Sequence, residues 1–265
     1  MNGIPTWTIG SALAIVIALT AWRLRWLTGS GALAAWVAGT VAMGAGWDWG
    51  IMLISYFLAS SLLTRFRRTD KSRRTEGRLE KPGARDAAQV ASNGGLFVVA
   101  AFGFWVSPAE FWQIAGGGAI AASAADTWAT EVGSLAAGSP RSIVSGARVP
   151  VGSSGGVSVP GTIASLLGAA FVAVHATAVG WPAVAAWGSL AGGFVGSIVD
   201  SRHGAPVQAR FWCASCDTET ERSLHDCGRI AVLRGGTRWL NNDGVNALAT
   251  AAGAAVSMGI ALGTR

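Results

Sequence analysis

Apolar stretches of roughly 17–22 residues recur along this chain, long enough to cross a bilayer core about 30 Å thick. Eight are recognised, over residues 5–22, 30–47, 49–63, 88–106, 109–131, 160–178, 183–200 and 243–262. In lipid every backbone polar group needs an internal partner, which leaves only helices and closed barrels. Continuous apolar runs, rather than short alternating ones, select helices. The expected fold class is therefore all-α: a polytopic membrane helix bundle of about eight transmembrane helices. The third stretch is short, and only Trp47, Asp48 and Trp49 separate it from the second, so seven spans is the rival count. The first stretch lacks a basic leading segment and a convincing cleavage site, and reads as a retained helix. Composition agrees, with 51% hydrophobic and 13% charged residues, 37 Gly and 13 Trp. Glycine lets helices approach closely, and tryptophan favours membrane interfaces.

A net charge of +6 would suggest a nucleic-acid partner in a soluble protein, but its distribution points elsewhere. With eight spans, every Lys and Arg except Arg265 falls in an odd-numbered loop. The positive-inside rule puts those loops in the cytoplasm and both termini outside. The chain then reads as one transmembrane domain, residues 1–265, with a basic cytoplasmic loop over 64–86 and a second cytoplasmic loop over 201–242. The basic loop suits a solvated segment that meets anionic membrane lipids.

The fifth span ends in Ala121-Ala-Ser-Ala-Ala-Asp-Thr-Trp-Ala-Thr-Glu-Val-Gly133. A carboxylate inside an apolar span costs about 2.5–3.5 kcal/mol at its centre, so Asp126 and Glu131 mark function rather than packing. On a helical wheel Ser123, Asp126, Thr127, Thr130, Glu131 and Ser134 share one face, the wall of a polar site. The plain alternative is a helix end fraying into water. Other polar groups gather at the cytoplasmic ends of neighbouring spans. Asp86, Gln89 and Asn93 follow at i, i+3 and i+7 into the fourth span. Asp200 ends a Gly192/Gly196 close-packing face in the seventh. Asn242, Asp243 and Asn246 open the eighth, where Asn and Asp also serve as caps. Gly152-Ser-Ser-Gly-Gly156, before Pro160-Gly161-Thr162, could present backbone N–H groups to phosphate, although Gly/Ser linkers look alike. Carboxylates at the inner interface, beside basic and Gly-rich elements, suit a divalent metal and nucleotide phosphates. A transporter would more often place them near the bilayer midplane.

All three cysteines lie in the 201–242 loop, as Cys213-x2-Cys216 followed by His225-x-Cys227. Three thiols and an imidazole fit a closed structural Zn²⁺ site; a redox pair and unrelated cysteines are the other readings.

Three groups of residues carry a resemblance over nearly the whole chain. They are Gly83-Ala-Arg-Asp-Ala-Ala-Gln-Val-Ala-Ser-Asn-Gly-Gly95, then Asp126-Thr-Trp-Ala-Thr-Glu-Val-Gly133 with Gly155-Gly-Val-Ser-Val-Pro-Gly-Thr162, and finally Gly196-Ser-Ile-Val-Asp-Ser201 with Asn242-Asp243 and Val245-Asn246. In these the chain resembles the integral-membrane family called domain of unknown function 92, which includes the plant phytyl-phosphate kinase. The family's Gly-Thr-Asn-Gly-Gly turn reads Gly-Ser-Ser-Gly-Gly here. The resemblance implies Mg²⁺-dependent transfer of a phosphoryl group from a nucleoside triphosphate, CTP, to an isoprenyl monophosphate. It implies Asp126, Glu131, Asp200 and Asp243 as catalytic and Mg²⁺-holding residues. Lys81, Arg85, Asp86, Gln89, Asn93, Gly155, Gly156, Thr162, Asn242 and Asn246 would meet nucleotide and phosphate. An ion or lipid transporter and a CTP-dependent lipid cytidylyltransferase remain open alternatives. One geometric difficulty attends the metal set, because Asp126 and Glu131 lie about 140° apart on an ideal helix.

Overall fold

Each of the eight apolar stretches forms a long helix. The computed structural model describes residues 5–75 and 83–264. Its helices are α1 (Thr6–Arg23), α2 (Gly29–Ala45), α3 (Trp47–Arg65), the short α4 (Arg68–Thr75), α5 (Ala87–Val106), α6 (Glu110–Gly133), α7 (Val159–Ala178), α8 (Ala183–Val207) and α9 (Asn242–Gly263). Five of them, α1, α5, α7, α8 and α9, are long and apolar enough to cross a membrane, and the bent pair α3 and α4 makes a sixth. The chain is thus a polytopic membrane helical protein. At 17 residues α2 is the shortest of the eight long helices. The centre of the bundle is α6, where Gly116 to Ala125 are all buried; a helix enclosed by protein can carry Ser, Asp, Thr and Glu without exposing them to lipid.

Around α6 pack α5, α7, α8 and α9, with α3 touching it more lightly. Small residues let these backbones meet. A Cβ at Gly118 would run into the carbonyl oxygen of Gly253, and one at Gly196 into Ala122. The opposite end of the bundle is an aromatic core. Trp49 is fully buried there, with ring centroids 5.2 Å from Phe97, 5.5 Å from Phe104 and 4.8 Å from Trp181. The Trp181 indole N–H donates to Asp48 Oδ2 at 2.6 Å, which gives that carboxylate a partner.

The segments between helices hold more structure than their composition suggests. Where residues 64–86 read as a loop, the chain turns by 67° after α3 and continues as α4. Lys71 fixes that break, its Nζ donating to the carbonyls of Leu63 (2.6 Å) and Thr64 (3.3 Å) in the last turn of α3. Such a cation satisfies end carbonyls and complements the helix dipole. Where residues 201–242 read as a loop, α8 runs on to Val207. Beyond it β3 (Arg210–Cys213) pairs antiparallel with both β4 (Thr218–Thr220) and β5 (Val232–Gly235). Between α6 and α7, β1 (Arg141–Ser142) and β2 (Gly156–Val157) close a small hairpin.

Helix starts are set by side-chain caps. Asp86 Oδ1 accepts from the Gln89 N–H at 2.9 Å while the Gln89 side chain accepts from the Asp86 N–H, a capping box on α5. Ser158 caps α7 through the Gly161 N–H at 3.2 Å, and Asn241 caps α9 through that of Gly244 at 3.1 Å.

Candidate functional site

Where the C-terminal ends of α6 and α8 meet the start of α9, the bundle opens into a polar cavity with two lobes. One, of about 380 Å³, lies under the glycine turn and is lined by Gly152 to Ser158, Thr162, Ser165, Ser197 and Gln208. The other, of about 390 Å³, is lined by Arg68, Arg85, Gln89, Asn93, Asp243 and Asn246. Asp126, Glu131, Asp200, Lys71, Glu221 and Asn242 line both lobes and form the wall between them.

Asp126 on α6 and Asp200 on α8 lie within side-chain hydrogen-bonding reach of each other. The Asp200 Oδ1 atom is buried with no hydrogen-bond partner among the described residues. Two adjacent carboxylates with an orphaned oxygen fit a divalent cation, and Mg²⁺ is commonly held by one or two carboxylates together with substrate phosphates. All four carboxylates expected from the sequence, Asp126, Glu131, Asp200 and Asp243, line the second lobe. Glu131 is ion-paired with Lys71 Nζ at 2.6 Å, with side chains only 16% and 9% exposed. Asp243 lines the second lobe but not the first.

The glycine turn is held from behind. At φ +73° Gly155 packs so closely on α8 that a Cβ would meet the Ser201 carbonyl oxygen at 2.8 Å. Ser154 Oγ donates to Gln208 Oε1 at 2.8 Å. Two of the backbone donors expected to face phosphate are spent locally: the Gly156 N–H on the Ser153 carbonyl, and that of Gly161 on Ser158 Oγ. Thr162 lines this lobe while its hydroxyl donates to the Ser158 carbonyl at 3.0 Å. Asp86 lines neither lobe, since its carboxylate is the α5 cap. Lys81 lies outside the described residues.

In the second lobe Arg68 and Arg85 have no carboxylate partner among the described residues. Arg85 is positioned by its backbone, which bonds Trp26 and Thr28 just before α2 at 3.0 Å each. Asn93 is oriented by a chain of bonds: its Nδ2 donates to the Gln89 carbonyl (2.9 Å), its Oδ1 accepts from Ser123 Oγ (2.8 Å), and that hydroxyl lies 2.6 Å from the Tyr56 hydroxyl. Sequence reasoning missed Lys71 and Glu221. Neither stands out locally, the first being one cation among nine in its segment and the second coming from the cysteine-bearing sheet.

That sheet brings the ligand atoms of Cys213, Cys216, His225 and Cys227 within 4.8 Å of one another. The Cys213 and Cys227 sulfurs are 3.6 Å apart, and His225 Nδ1 is 3.3 Å from Cys227 Sγ. Tetrahedral zinc with bonds near 2.3 Å places sulfurs about 3.8 Å apart, so the donor set and spacing fit the ion. The hydrogen bond with His225, with help from the Arg229 backbone, draws the Cys227 thiol down to about 6. A thiolate is the form a metal needs. From this sheet Glu221 and Asp226 reach the polar cavity, and Asp226 is ion-paired with Arg222.

The family described as integral membrane protein DUF92 matches residues 12–254. The chain belongs to that DUF92 family. A relative, Protein PGR of Arabidopsis thaliana, is 26% identical over 260 residues, covering 88% of each chain. No solved structure matches. As a DUF92 protein the chain is an integral membrane protein, and the matched region contains the whole cavity from Arg68 to Asn246.

Proposed function

We propose that this DUF92 protein is a membrane-embedded kinase that moves the terminal phosphoryl group of CTP onto an isoprenyl monophosphate, giving the diphosphate. One observation carries the reading: two polar lobes of similar size share a wall containing the Asp126/Asp200 pair, so two phosphate-bearing ligands can meet there. The resemblance to a family that includes a phytyl-phosphate kinase supplies the substrate classes. In this reading the nucleotide occupies the lobe under the glycine turn, and the lipid phosphate sits at Arg85 and Arg68. An acceptor phosphate oxygen attacks the γ-phosphorus, the bond from that phosphorus to the β–γ bridging oxygen breaks, and CDP leaves with the electron pair. Asp126 and Asp200 would hold Mg²⁺, which supplies charge neutralisation across the phosphates when bound. Arg85 and Arg68 bind the acceptor phosphate, Asn93, Asn246 and Asn242 orient it, and the Lys71–Glu131 pair fixes the wall. Such chemistry depends mainly on positioning and charge and requires no protein nucleophile.

The same proposal includes eight spans in the plasma membrane, both termini outside and the site on the cytoplasmic face, supported by the one-sided basic residues. It also includes one structural zinc at Cys213, Cys216, His225 and Cys227, whose sheet carries Glu221 to the site. The deciding test is purified protein with CTP, Mg²⁺ and a panel of isoprenyl monophosphates. Isoprenyl diphosphate and CDP are the expected products. Pyrophosphate with a cytidylyl-lipid would instead identify a cytidylyltransferase, and no turnover with any acceptor would remove the kinase reading.

A further inference from the structure

A second cavity, of about 200 Å³ and almost wholly apolar, runs between α1 and α3 across α2 and α5. Its walls are side chains such as Leu13, Ile17, Ile51 and Ile54, and three of its lining residues are different in kind: Arg85, Gln89 and Asn93. Those same three line the second lobe of the polar cavity. The apolar cleft therefore continues into the polar site at one end only, and the join is marked by a guanidinium without a carboxylate partner among the described residues.

Two residues shape the cleft. Gly94 is buried, lines the cleft, and faces open space, because a Cβ there would touch nothing within 4 Å. The empty volume exists because this helix position has no side chain. At the far end Met43 is wedged between α1 and α3, where a Cβ on Gly10 or Gly50 would strike it. From Phe57 to Trp47, both lining residues of α3, the cleft is about 15 Å long at 1.5 Å per residue, half of a ~30 Å hydrocarbon core. Leu13, Ile17 and Ile51 are also 44%, 38% and 45% exposed, so the cleft opens sideways toward lipid.

We propose that this cleft holds the tail of a single-chain isoprenyl monophosphate, entering from the bilayer, with its phosphate at Arg85 and its length limited by Met43. The volume is below the 300–1,000 Å³ of ordinary small-molecule pockets, which suits one thin chain better than a two-tailed phospholipid. The polar end matches an anionic head and the remainder offers nothing to a second charge. This inference rests on the kinase reading for the identity of the acceptor, but binding can be judged without turnover.

The test uses the full-length wild-type protein in nanodiscs and farnesyl monophosphate carrying a terminal diazirine, with adducts mapped after irradiation. Adducts should fall on Leu13, Met43, Ile51 or Ile54 and be suppressed by excess unlabelled farnesyl monophosphate. Gly94→Phe, which fills the space, should cut this labelling at least about tenfold, the scale on which an apolar pocket discriminates size. It should lower the preference for a C15 over a C5 acceptor by a similar factor. Labelling spread over lipid-facing residues such as Val99 and Val174, or labelling suppressed by phospholipid and not by the isoprenyl phosphate, overturns the proposal. Should Gly94→Phe fail to fold, the wild-type map decides alone. Absent diphosphate product with cleft labelling intact would count against phosphoryl transfer and leave the tail site standing.

Discussion

Helices α6 and α1 are both long, yet their surroundings are opposite. Eleven residues of α6 are buried, in one unbroken run from Gly116 to Ala125 plus Ile114, whereas only Gly10, Ala14, Ala18 and Ala21 of α1 are. Around α6 the helices meet backbone to backbone through glycine, and the polar side chains are joined to one another. Around α1 the side chains are large, apolar and exposed, and a cleft is left open. The first region is built to hold charges in fixed places, the second to face and admit lipid. Mutations should therefore be severe in one half and mild in the other.

The largest effect is expected at the Lys71–Glu131 clamp. Removing one partner of a buried ion pair strands the other and costs about 3–5 kcal/mol. Lys71→Met should lower the melting temperature sharply and expose the α3–α4 break to proteolysis, while Glu131→Gln, keeping an acceptor for Lys71, should do less. Equal losses for the two would mean that the carboxylate, rather than the carbonyls of α3, is what Lys71 serves.

Next in size is the zinc module. Elemental analysis of purified protein should show close to one zinc per chain, and Cys216→Ser should reduce it and loosen the β3–β5 sheet. Full stability without metal would reject the site. Smaller again is overpacking in the tight half: Gly118→Ala, aimed at the Gly253 carbonyl, should cost about 1–3 kcal/mol. Val16→Ala, on a side chain 61% exposed, should stay within about 0.5 kcal/mol. A reversal of that order would contradict the division of the bundle into a packed and a lipid-facing half.

Reading the sequence alone locates the long helices well, because apolar length is a local property. It also locates Asp126 and Asp200, which stand out against apolar neighbours. Three features escape it for physical reasons. The α4 segment, Arg-Thr-Asp-Lys-Ser-Arg-Arg-Thr, has no apolar face, and its place is set by the Lys71 bonds to α3 and Glu131. The strands β3 to β5 are three or four residues long and follow from the clustered thiols more than from alternation. The extension of α8 past Asp200 depends on the glycine turn packing against Ser201 and Ala205, a contact between distant segments. Asp86 is a different case. Its Asp-x-x-Gln spacing is that of a capping box, so its structural role was readable where a ligand role was expected.

The central claim is that the Asp126/Asp200 pair is the place where two phosphate ligands meet. Measuring turnover with CTP, Mg²⁺ and phytyl monophosphate together with melting temperature, for wild type and Asp126→Asn, tests it most directly. The substitution nearly preserves volume while removing a charge that is costly to bury without its ion. The account predicts diphosphate formation by the wild type, a loss of about 10²–10³ in rate in the variant, and a melting temperature unchanged or raised. Wild-type turnover in Asp126→Asn, or an unstable variant whose surviving fraction is fully active, would contradict it.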